Sequence, residues 1–232
     1  RERAAREVGG DFYHVFELDG GKVGVLIAEG GGKGLGSALS IAFAKGFLTP
    51  RILGDGQSDN SPTEVVRALQ DRLAAMLDDE DSVGLAYAVI DAGDGTLRYA
   101  RVGTHPAIMV ANEKSPGRLS LPEEREIKFK SNRKEGISAD ANISVIEGSF
   151  ALGEGDSVAM LTDGIVKNWK NDKTGPAAEL SKVLTDARGD DSAALQEALD
   201  KNIKEGSKRA RKQMVDDDLT VVIVKLNQKE ND

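Results

Sequence analysis

The sequence contains no cysteine and only two histidines among its 232 residues. Without cysteine, the chain can form no disulfide, no thiolate nucleophile and no cysteine-ligated zinc or iron–sulfur site. No stretch approaches the roughly 18 apolar residues that a membrane-spanning helix needs, so direct membrane insertion is not expected. The first seven residues are mostly charged and lack the apolar segment of a signal peptide. We therefore expect a cytoplasmic protein, which can be the cytoplasmic part of a larger or membrane-tethered sensor.

Basic residues are outnumbered by acidic ones, with 31 Lys and Arg against 39 Asp and Glu and a net charge of −8. An acidic chain repels a nucleic-acid backbone, so no nucleic-acid partner is expected. The hydrophobic content of 39% supports one sizeable core, and we predict a single domain over residues 1–232. Because the sequence begins with Arg1 and a strand pattern follows almost at once, we expect this domain to be the C-terminal part of a longer regulator.

Strand and helix patterns come in blocks along the chain and do not alternate strictly. Strands are predicted at 8–18, 23–28, 83–91, 97–102, 107–111, 143–150, 157–162 and 219–226. Helices are predicted at 37–48, 61–77, 176–187 and 192–206, and residues 112–142 are predicted to be rich in loops. Blocks of this kind are typical of an α+β fold with antiparallel sheets and helices packed outside.

The first two helices differ in how clearly the sequence marks them. Residues 61–64 (SPTE) form a capping box with proline at the first helical position. The buried stripe of this helix is predicted at Val65, Val66, Leu69, Leu73, Met76 and Leu77. The buried stripe of the helix before it is predicted at Leu39, Ala42, Phe43 and Phe47.

Two acidic residues are brought together by a predicted hairpin between the first two strands. Residues 19–22 (DGGK) form a turn signal, because glycine tolerates the positive φ that tight turns require. A two-residue turn places Asp11 opposite either Gly30 or Ala28, depending on which residues form it. In both registers Asp11 and Glu29 lie within one step of each other, with Cβ atoms roughly 5–8 Å apart. Two carboxylates at that distance repel each other unless a cation or a proton lies between them.

Two further acids stand at the ends of apolar strands. Asp163 directly follows one such strand, and Asp217 lies just before the last one. If these strands are central, both acids can converge with Asp11 and Glu29 at one edge of a sheet. An all-oxygen cluster suits Mg²⁺ or Mn²⁺ better than zinc. Each acid taken singly also has a plainer explanation, since aspartate is common in turns for backbone reasons alone.

Four segments resemble the signatures of the metal-dependent protein phosphatases, in the bacterial sporulation and sigma-regulator branch related to the type 2C enzymes. They are residues 8–13 (VGGDFY), 27–34 (IAEGGGKG), 161–165 (LTDGI) and 217–220 (DDLT). Their order, spacing and flanking strands agree with that family from about residue 7 to residue 226. Any one segment alone is a weak signal, whereas the four together are specific.

This resemblance implies an α+β sandwich of two antiparallel β-sheets flanked by α-helices on both sides. It implies Mn²⁺ or Mg²⁺ as cofactor, with two ions in the site. The implied metal ligands are Asp11, Glu29, the Gly30 carbonyl, Asp163 and Asp217, with Asp11 and Asp163 also catalytic and Asp218 a weaker candidate. The implied reaction is hydrolysis of phosphoserine or phosphothreonine by a metal-activated water. The implied partners are a phosphorylated regulatory protein of the anti-sigma-factor antagonist type and an N-terminal sensor domain. The formation of a homodimer is a further possibility that the sequence does not decide.

Three positions depart from the family pattern. Glu29 and His14 stand where that branch has aspartate, and Lys167 stands where it usually has glutamate. The extra methylene of Glu29 moves its carboxylate by roughly 1.5 Å, whereas functional groups need placement within about 0.5 Å. An alternative is therefore a catalytically weak or inactive pseudophosphatase that serves as a signalling or binding module. A third hypothesis is a metal-dependent phosphohydrolase of small molecules. His14 and His105 are predicted to be structural.

Overall fold

The computed structural model describes residues 2–3, 8–31, 35–53, 61–73, 82–103, 107–111, 119–120, 123–130, 142–168, 183, 197–201, 203–205 and 217–226. Its strands are β1 (Glu2–Arg3), β2 (Asp11–Leu18), β3 (Lys22–Gly30), β4 (Val83–Asp91), β5 (Thr96–Val102), β6 (Ala107–Ala111), β7 (Leu119–Ser120), β8 (Glu123–Lys130), β9 (Asn142–Ala151), β10 (Ser157–Leu161) and β11 (Leu219–Lys225). Its helices are α1 (Leu35–Leu53), α2 (Pro62–Leu73) and α3 (Asp163–Asn168).

The strands form two sheets. A six-stranded sheet has the order β2-β3-β4-β5-β9-β8, and a five-stranded sheet has the order β1-β11-β10-β6-β7. Every strand pair in the described residues is antiparallel. The predicted α+β class with two antiparallel sheets is therefore confirmed.

The two sheets pack face to face on an apolar layer. Val25 and Ile27 of β3 lie in one core cluster with Val158 and Met160 of β10 and Val222 of β11. Successive side chains of a strand point to opposite faces, so the residues between them face away from the second sheet. This central layer fixes the two sheets relative to each other and so positions whatever lies at their ends.

Helices cover both outer faces of the sandwich. On the six-stranded sheet, Leu26 and Tyr87 share a core cluster with Leu48 of α1 and Val66 of α2. On the five-stranded sheet, Leu161 and its neighbours share a cluster with Ile165 of α3 and with Leu199 and Ile203, which lie in described helical residues. The predicted arrangement with helices on both sides is confirmed. No helix among the described residues is long and apolar enough to cross a membrane.

Helix α1 buries a face that agrees with the predicted one only in part, since Phe43 and Phe47 are partly buried against the core. Leu39 is 61% exposed and Ala42 is exposed as well, so the predicted stripe was wrong at these positions. The buried positions are Ser37, Ile41, Ala44 and Leu48. The helix is apolar on most of its circumference, so more than one stripe satisfies helical spacing and periodicity alone does not choose between them.

Helix α2 follows its sequence signals closely. Pro62 is its first residue, and the Ser61 hydroxyl oxygen accepts a hydrogen bond from the Glu64 backbone N–H at 3.3 Å. The predicted stripe is confirmed at Val65, Val66, Leu69 and Leu73. Its last two predicted members, Met76 and Leu77, lie outside the described residues.

The sequence patterns missed four described elements, of which the strands β1 and β7 are only two residues long. Strand β8 lies in the segment predicted to be loop, because its sequence EEREIKFK has no apolar run and the strand sits at the edge of its sheet. The short helix α3 begins at Asp163, where only a strand end was predicted. The helices predicted at 176–187 and 192–206 lie mostly outside the described residues, although residues 183, 197–201 and 203–205 are helical.

Candidate metal centre

Strands β2 and β3 place Asp11 and Glu29 directly opposite each other. The turn between them spans residues 19–21, and Gly20 and Gly21 have φ values of 76° and 73°, in the left-handed region that favours glycine. Both predicted registers assumed a two-residue turn and were wrong by one residue. The prediction that Asp11 and Glu29 lie within one step is confirmed, since the three-residue turn brings them into register.

Asp11 is connected to the second sheet through a threonine. The Thr162 hydroxyl donates a hydrogen bond to Oδ2 of Asp11 at 2.7 Å, and both side chains are buried. Asp11 begins β2 in the six-stranded sheet, whereas Thr162 directly follows β10 in the five-stranded sheet. The hydrogen bond therefore joins the two sheets at the end where the predicted acids lie.

Glu29 is connected to Asp163 by a hydrogen bond at the start of α3. The backbone N–H of Asp163, the first residue of α3, donates to Oε2 of Glu29 at 2.9 Å. A carboxylate at a helix N-terminus is favoured by the unpaired N–H groups and the positive end of the helix dipole. Glu29 therefore holds the start of α3, and with it Asp163, against the end of β3.

Asp217 and Asp218 reach the same end of the sandwich from just before β11. The Asp218 backbone N–H donates to Oδ1 of Asp217 at 3.2 Å, and the Gly10 backbone N–H donates to Oδ2 of Asp218. A Cβ on Gly164 would lie 1.9 Å from the Asp218 carbonyl oxygen, so only glycine lets α3 approach this segment. The sequence ranked Asp218 below Asp217, yet the Asp218 carboxylate accepts its hydrogen bond from Gly10, the residue directly before Asp11 and β2.

The Gly30 carbonyl, also a predicted ligand, accepts a hydrogen bond from the Ser37 hydroxyl at 3.1 Å. A Cβ on Gly30 would lie 2.3 Å from the Ser37 hydroxyl oxygen, and a Cβ on Gly10 would lie 2.2 Å from it. The first turn of α1 therefore packs directly on these two glycines. Ser37 was not singled out from the sequence, because nothing in its local pattern distinguishes it from the other small residues of α1.

The charge at this end of the sandwich is unfavourable without a counter-ion. The pKa of Asp11 is raised to about 6, mainly by burial, and the nearby carboxylates of Asp218 and Asp217 add to the rise. The Thr162 hydroxyl, which donates to Asp11, and the dipole of the nearby buried Thr220 hydroxyl both act to lower this pKa. The ionised form of Asp11 is therefore disfavoured by its surroundings, and a nearby cation would stabilise it.

The residues fit a hard divalent cation in their chemistry. The donors are carboxylate oxygens, which Mg²⁺ and Mn²⁺ prefer, and the unpaired Thr220 hydroxyl adds a buried oxygen beside Asp11. Within the described residues, however, no group of three or more His, Asp or Glu side chains is already arranged to hold an ion. Asp11, Glu29 and Asp218 each have one carboxylate oxygen that accepts a hydrogen bond from the protein. A cation would bind lone pairs of these carboxylates that these hydrogen bonds do not use.

The other positions that depart from the family pattern lie apart from this cluster or outside the described side chains. The His14 ring packs edge-on against Phe16, with centroids 4.8 Å apart, and its buried Nδ1 has no hydrogen-bond partner among the described residues. His14 lies three positions after Asp11, so the two side chains point to opposite faces of β2. Lys167 lies in α3, and His105 lies outside the described residues.

The fold and the acidic end of the sandwich define the class of protein. The chain has the fold of the PP2C-type phosphatase domains, as comparison with solved structures shows. The PP2C phosphatase domain of the cell-fate determinant SpoIIE from Bacillus subtilis, solved with a fragment of its regulatory domain, matches with a TM-score of 0.70 at 23% identity, over 97% of this chain and 61% of that chain. RsbX in complex with magnesium matches with a TM-score of 0.63 at 13% identity, over 96% of this chain and 91% of that chain.

Sequence comparison then gives the family. The sequence model of the family "Stage II sporulation protein E (SpoIIE)" matches residues 19–227, and the chain belongs to this family. The stage II sporulation protein E of Priestia megaterium is 24% identical over 224 residues, which is 94% of this chain. The match spans 34% of that relative, so the chain corresponds to about a third of its length. The resemblance drawn from the four sequence segments is confirmed.

Proposed function

We propose that this chain is a metal-dependent serine/threonine protein phosphatase domain that hydrolyses phosphoserine on a regulatory protein of the anti-sigma-factor antagonist type. The observation that carries the proposal is the meeting of acids from both sheets at one end of the sandwich. Among the described residues, three hydrogen bonds tie these acids across the sheets: from Thr162 to Asp11, from Asp163 to Glu29 and from Gly10 to Asp218. Membership of the SpoIIE family and the PP2C-type fold support it.

The residues proposed to hold two Mn²⁺ or Mg²⁺ ions are Asp11, Glu29, the Gly30 carbonyl, Asp163 and Asp217, with Asp218 beside them. When bound, such ions supply a water that is nucleophilic near neutral pH and neutralise phosphoryl oxygens. Asp11 and Asp163 are the proposed catalytic residues, each held by a hydrogen bond between the sheets. Because the chain has no cysteine, a thiolate phosphoenzyme is excluded, in agreement with direct attack by water.

The proposal is tested with purified protein, a phosphoserine peptide and p-nitrophenyl phosphate, in Mn²⁺, in Mg²⁺ and in EDTA. We expect metal-dependent release of phosphate that falls at least about a hundredfold in Asp11→Asn and in Asp217→Asn. Asp91→Asn is the matched control. Glu29 pairs with the beginning of β4, whereas Asp91 is the last residue of β4 and its Oδ2 atom lies 3.8 Å from Nζ of Lys22. The proposal fails if the wild type releases no phosphate from either substrate in either ion.

A pseudophosphatase is the second candidate, and Glu29 is the observation that favours it. Its carboxylate is bonded to the start of α3, and the described residues form no ready-made ion site. Glu29→Asp discriminates between the two functions. If Glu29 is a working ligand, we expect the exchange to change turnover by less than about tenfold, whereas a rise from no activity would show that the natural chain is a non-catalytic relative.

A metal-dependent phosphohydrolase of small molecules is separated from both by a substrate panel. The proposed protein phosphatase should prefer phosphoproteins over nucleotides and sugar phosphates. For the Bacillus subtilis relative a regulatory domain accompanies the phosphatase domain. We propose that residues 1–232 form one catalytic domain that is controlled in a similar way by an N-terminal sensor. The proposed location of this domain is the cytoplasm.

A further inference from the structure

Hydrogen bonds fix the position of the Thr162 hydroxyl more closely than burial in an apolar core alone would require. Thr162 and Thr220 are both fully buried and lie opposite each other just beyond the paired ends of β10 and β11. The Thr162 backbone N–H donates to the Thr220 carbonyl at 3.1 Å, and the Thr220 backbone N–H donates to the Thr162 hydroxyl oxygen at 3.0 Å. This hydroxyl therefore replaces a backbone carbonyl as the acceptor for Thr220.

The bond from Thr220 decides where the single hydroxyl proton of Thr162 points. With one lone pair of the oxygen occupied, the proton has two acceptors within reach, Oδ2 of Asp11 at 2.7 Å and the Thr220 carbonyl at 3.4 Å. A carboxylate is the stronger acceptor and is also the nearer one. The hydroxyl is thus held as a donor aimed from the five-stranded sheet at a carboxylate of the six-stranded sheet.

We propose that Thr162 is a positioning residue that orients the Asp11 carboxylate for metal binding. The inference rests on the proposed function, in which Asp11 is a metal ligand. A carboxylate whose free rotation is already restricted loses less entropy when it binds an ion, and residues that orient metal ligands typically contribute about 10- to 100-fold in metal affinity. Thr162 does not contact the substrate or the ion in this proposal, and it acts through Asp11.

The test measures Mn²⁺ binding to the full chain by calorimetry. Thr162→Val keeps the shape of the side chain and removes the hydroxyl, and we expect it to weaken Mn²⁺ binding by about 10- to 100-fold. Thr162→Ser keeps the hydroxyl and removes a methyl group, so it should lower the thermal midpoint while its Mn²⁺ affinity stays within about threefold of wild type. Ser157→Ala is the matched control, because it removes a buried hydroxyl at the opposite end of the same strand.

Activity gives a second readout. If Thr162 positions a ligand, Thr162→Val should raise the Mn²⁺ concentration needed for half-maximal phosphatase activity more than it lowers kcat at saturating Mn²⁺. Thr162→Ala removes the hydroxyl without placing a methyl group beside Asp11, and it serves as the second variant should the valine variant not fold. Equal Mn²⁺ affinity in wild type and either variant lacking the hydroxyl overturns the proposal, as does a loss in Thr162→Ser as large as that in Thr162→Val.

A crystal structure of metal-free Thr162→Ala separates this inference from the proposed function. We expect the Asp11 carboxylate to change its rotamer or to become disordered relative to wild type. An unchanged Asp11 carboxylate would overturn the positioning role even if the protein is an active phosphatase. Failure of the wild type to bind Mn²⁺ would instead contradict the proposed function, and the crystal structures would still decide what Thr162 does to Asp11.

Discussion

At the residue scale, Asp11 combines burial with two neighbouring carboxylates. Its pKa is raised to about 6, mainly by burial, from an ordinary value of 3.8. The folded protein therefore holds this proton more tightly than the unfolded chain does. Its stabilising contribution is complete below about pH 4 and is lost as the pH rises through about 6.

The first prediction concerns the stability of Asp11→Asn in EDTA. Because asparagine does not ionise, the variant should be more stable than wild type above about pH 7, by about 2–3 kcal/mol in the free energy of unfolding. The advantage should shrink as the pH falls from 6 to 4 and disappear below about pH 3, where Asp11 is protonated in both states. Denaturant unfolding across this pH range checks the prediction, and parallel pH profiles for the two proteins would contradict it.

The second prediction concerns Tyr87. Its side chain is fully buried, burial raises its pKa to about 12, and its hydroxyl has no hydrogen-bond partner among the described residues. A buried unpaired hydroxyl costs about 1–3 kcal/mol, so Tyr87→Phe should raise the free energy of unfolding by about 1 kcal/mol. Tyr13→Phe is the control, because Tyr13 is exposed, and it should have no effect. A less stable Tyr87→Phe would show that the hydroxyl is bonded.

The acids proposed for the metal site were predicted by two routes, from their positions at strand ends and from the family resemblance. Asp11, Glu29, Asp163 and Asp217 stand at strand ends, where a local pattern can be seen. Thr162 was not singled out, because its role depends on Asp11, 151 residues away. A contact between residues so far apart in the chain cannot be predicted from periodicity or spacing within a single sequence.

At the element scale, α2 shows how far local signals determine structure. Its first residue, its N-terminal hydrogen bond and four buried positions agree with the capping box and stripe. Helix α1 and strand β8 do not follow from local pattern. The buried face of α1 is selected by the sheet it packs on, and β8 forms at a sheet edge by pairing with β9. The register of β2 with β3 likewise depends on the length of the turn between them. The glycine-rich turn sequence does not specify whether the turn has two residues or three.

The third prediction belongs to this scale. Ser61→Ala removes the acceptor for the Glu64 backbone N–H, and N-cap replacements of this kind cost about 1 kcal/mol. We expect the free energy of unfolding to fall by about that amount, with phosphatase activity unchanged. Ser61→Asp keeps an acceptor and should retain stability. An alanine variant as stable as wild type would mean that Ser61 does not cap the helix in solution.

At the scale of the whole molecule, the proposed ions would bind acids from both sheets and should stabilise the folded chain. A ligand at 100 times its Kd adds about 2.7 kcal/mol to the free energy of unfolding. The fourth prediction is therefore that saturating Mn²⁺ raises the thermal midpoint of wild type and that EDTA reverses the rise. Asp217→Asn should show a much smaller rise, and an equal rise in both proteins would place the ion elsewhere.

The hydrogen bond between Gly10 and Asp218 spans 208 positions of the chain. During synthesis, the segment that carries Gly10 and Asp11 leaves the ribosome long before the segment that carries Asp217 and Asp218. A nascent chain thus has no complete set of acids until residues 217 and 218 have emerged, and a chain cut short before residue 217 lacks them permanently. Translation products that end before residue 217 are therefore expected to lack the proposed metal site.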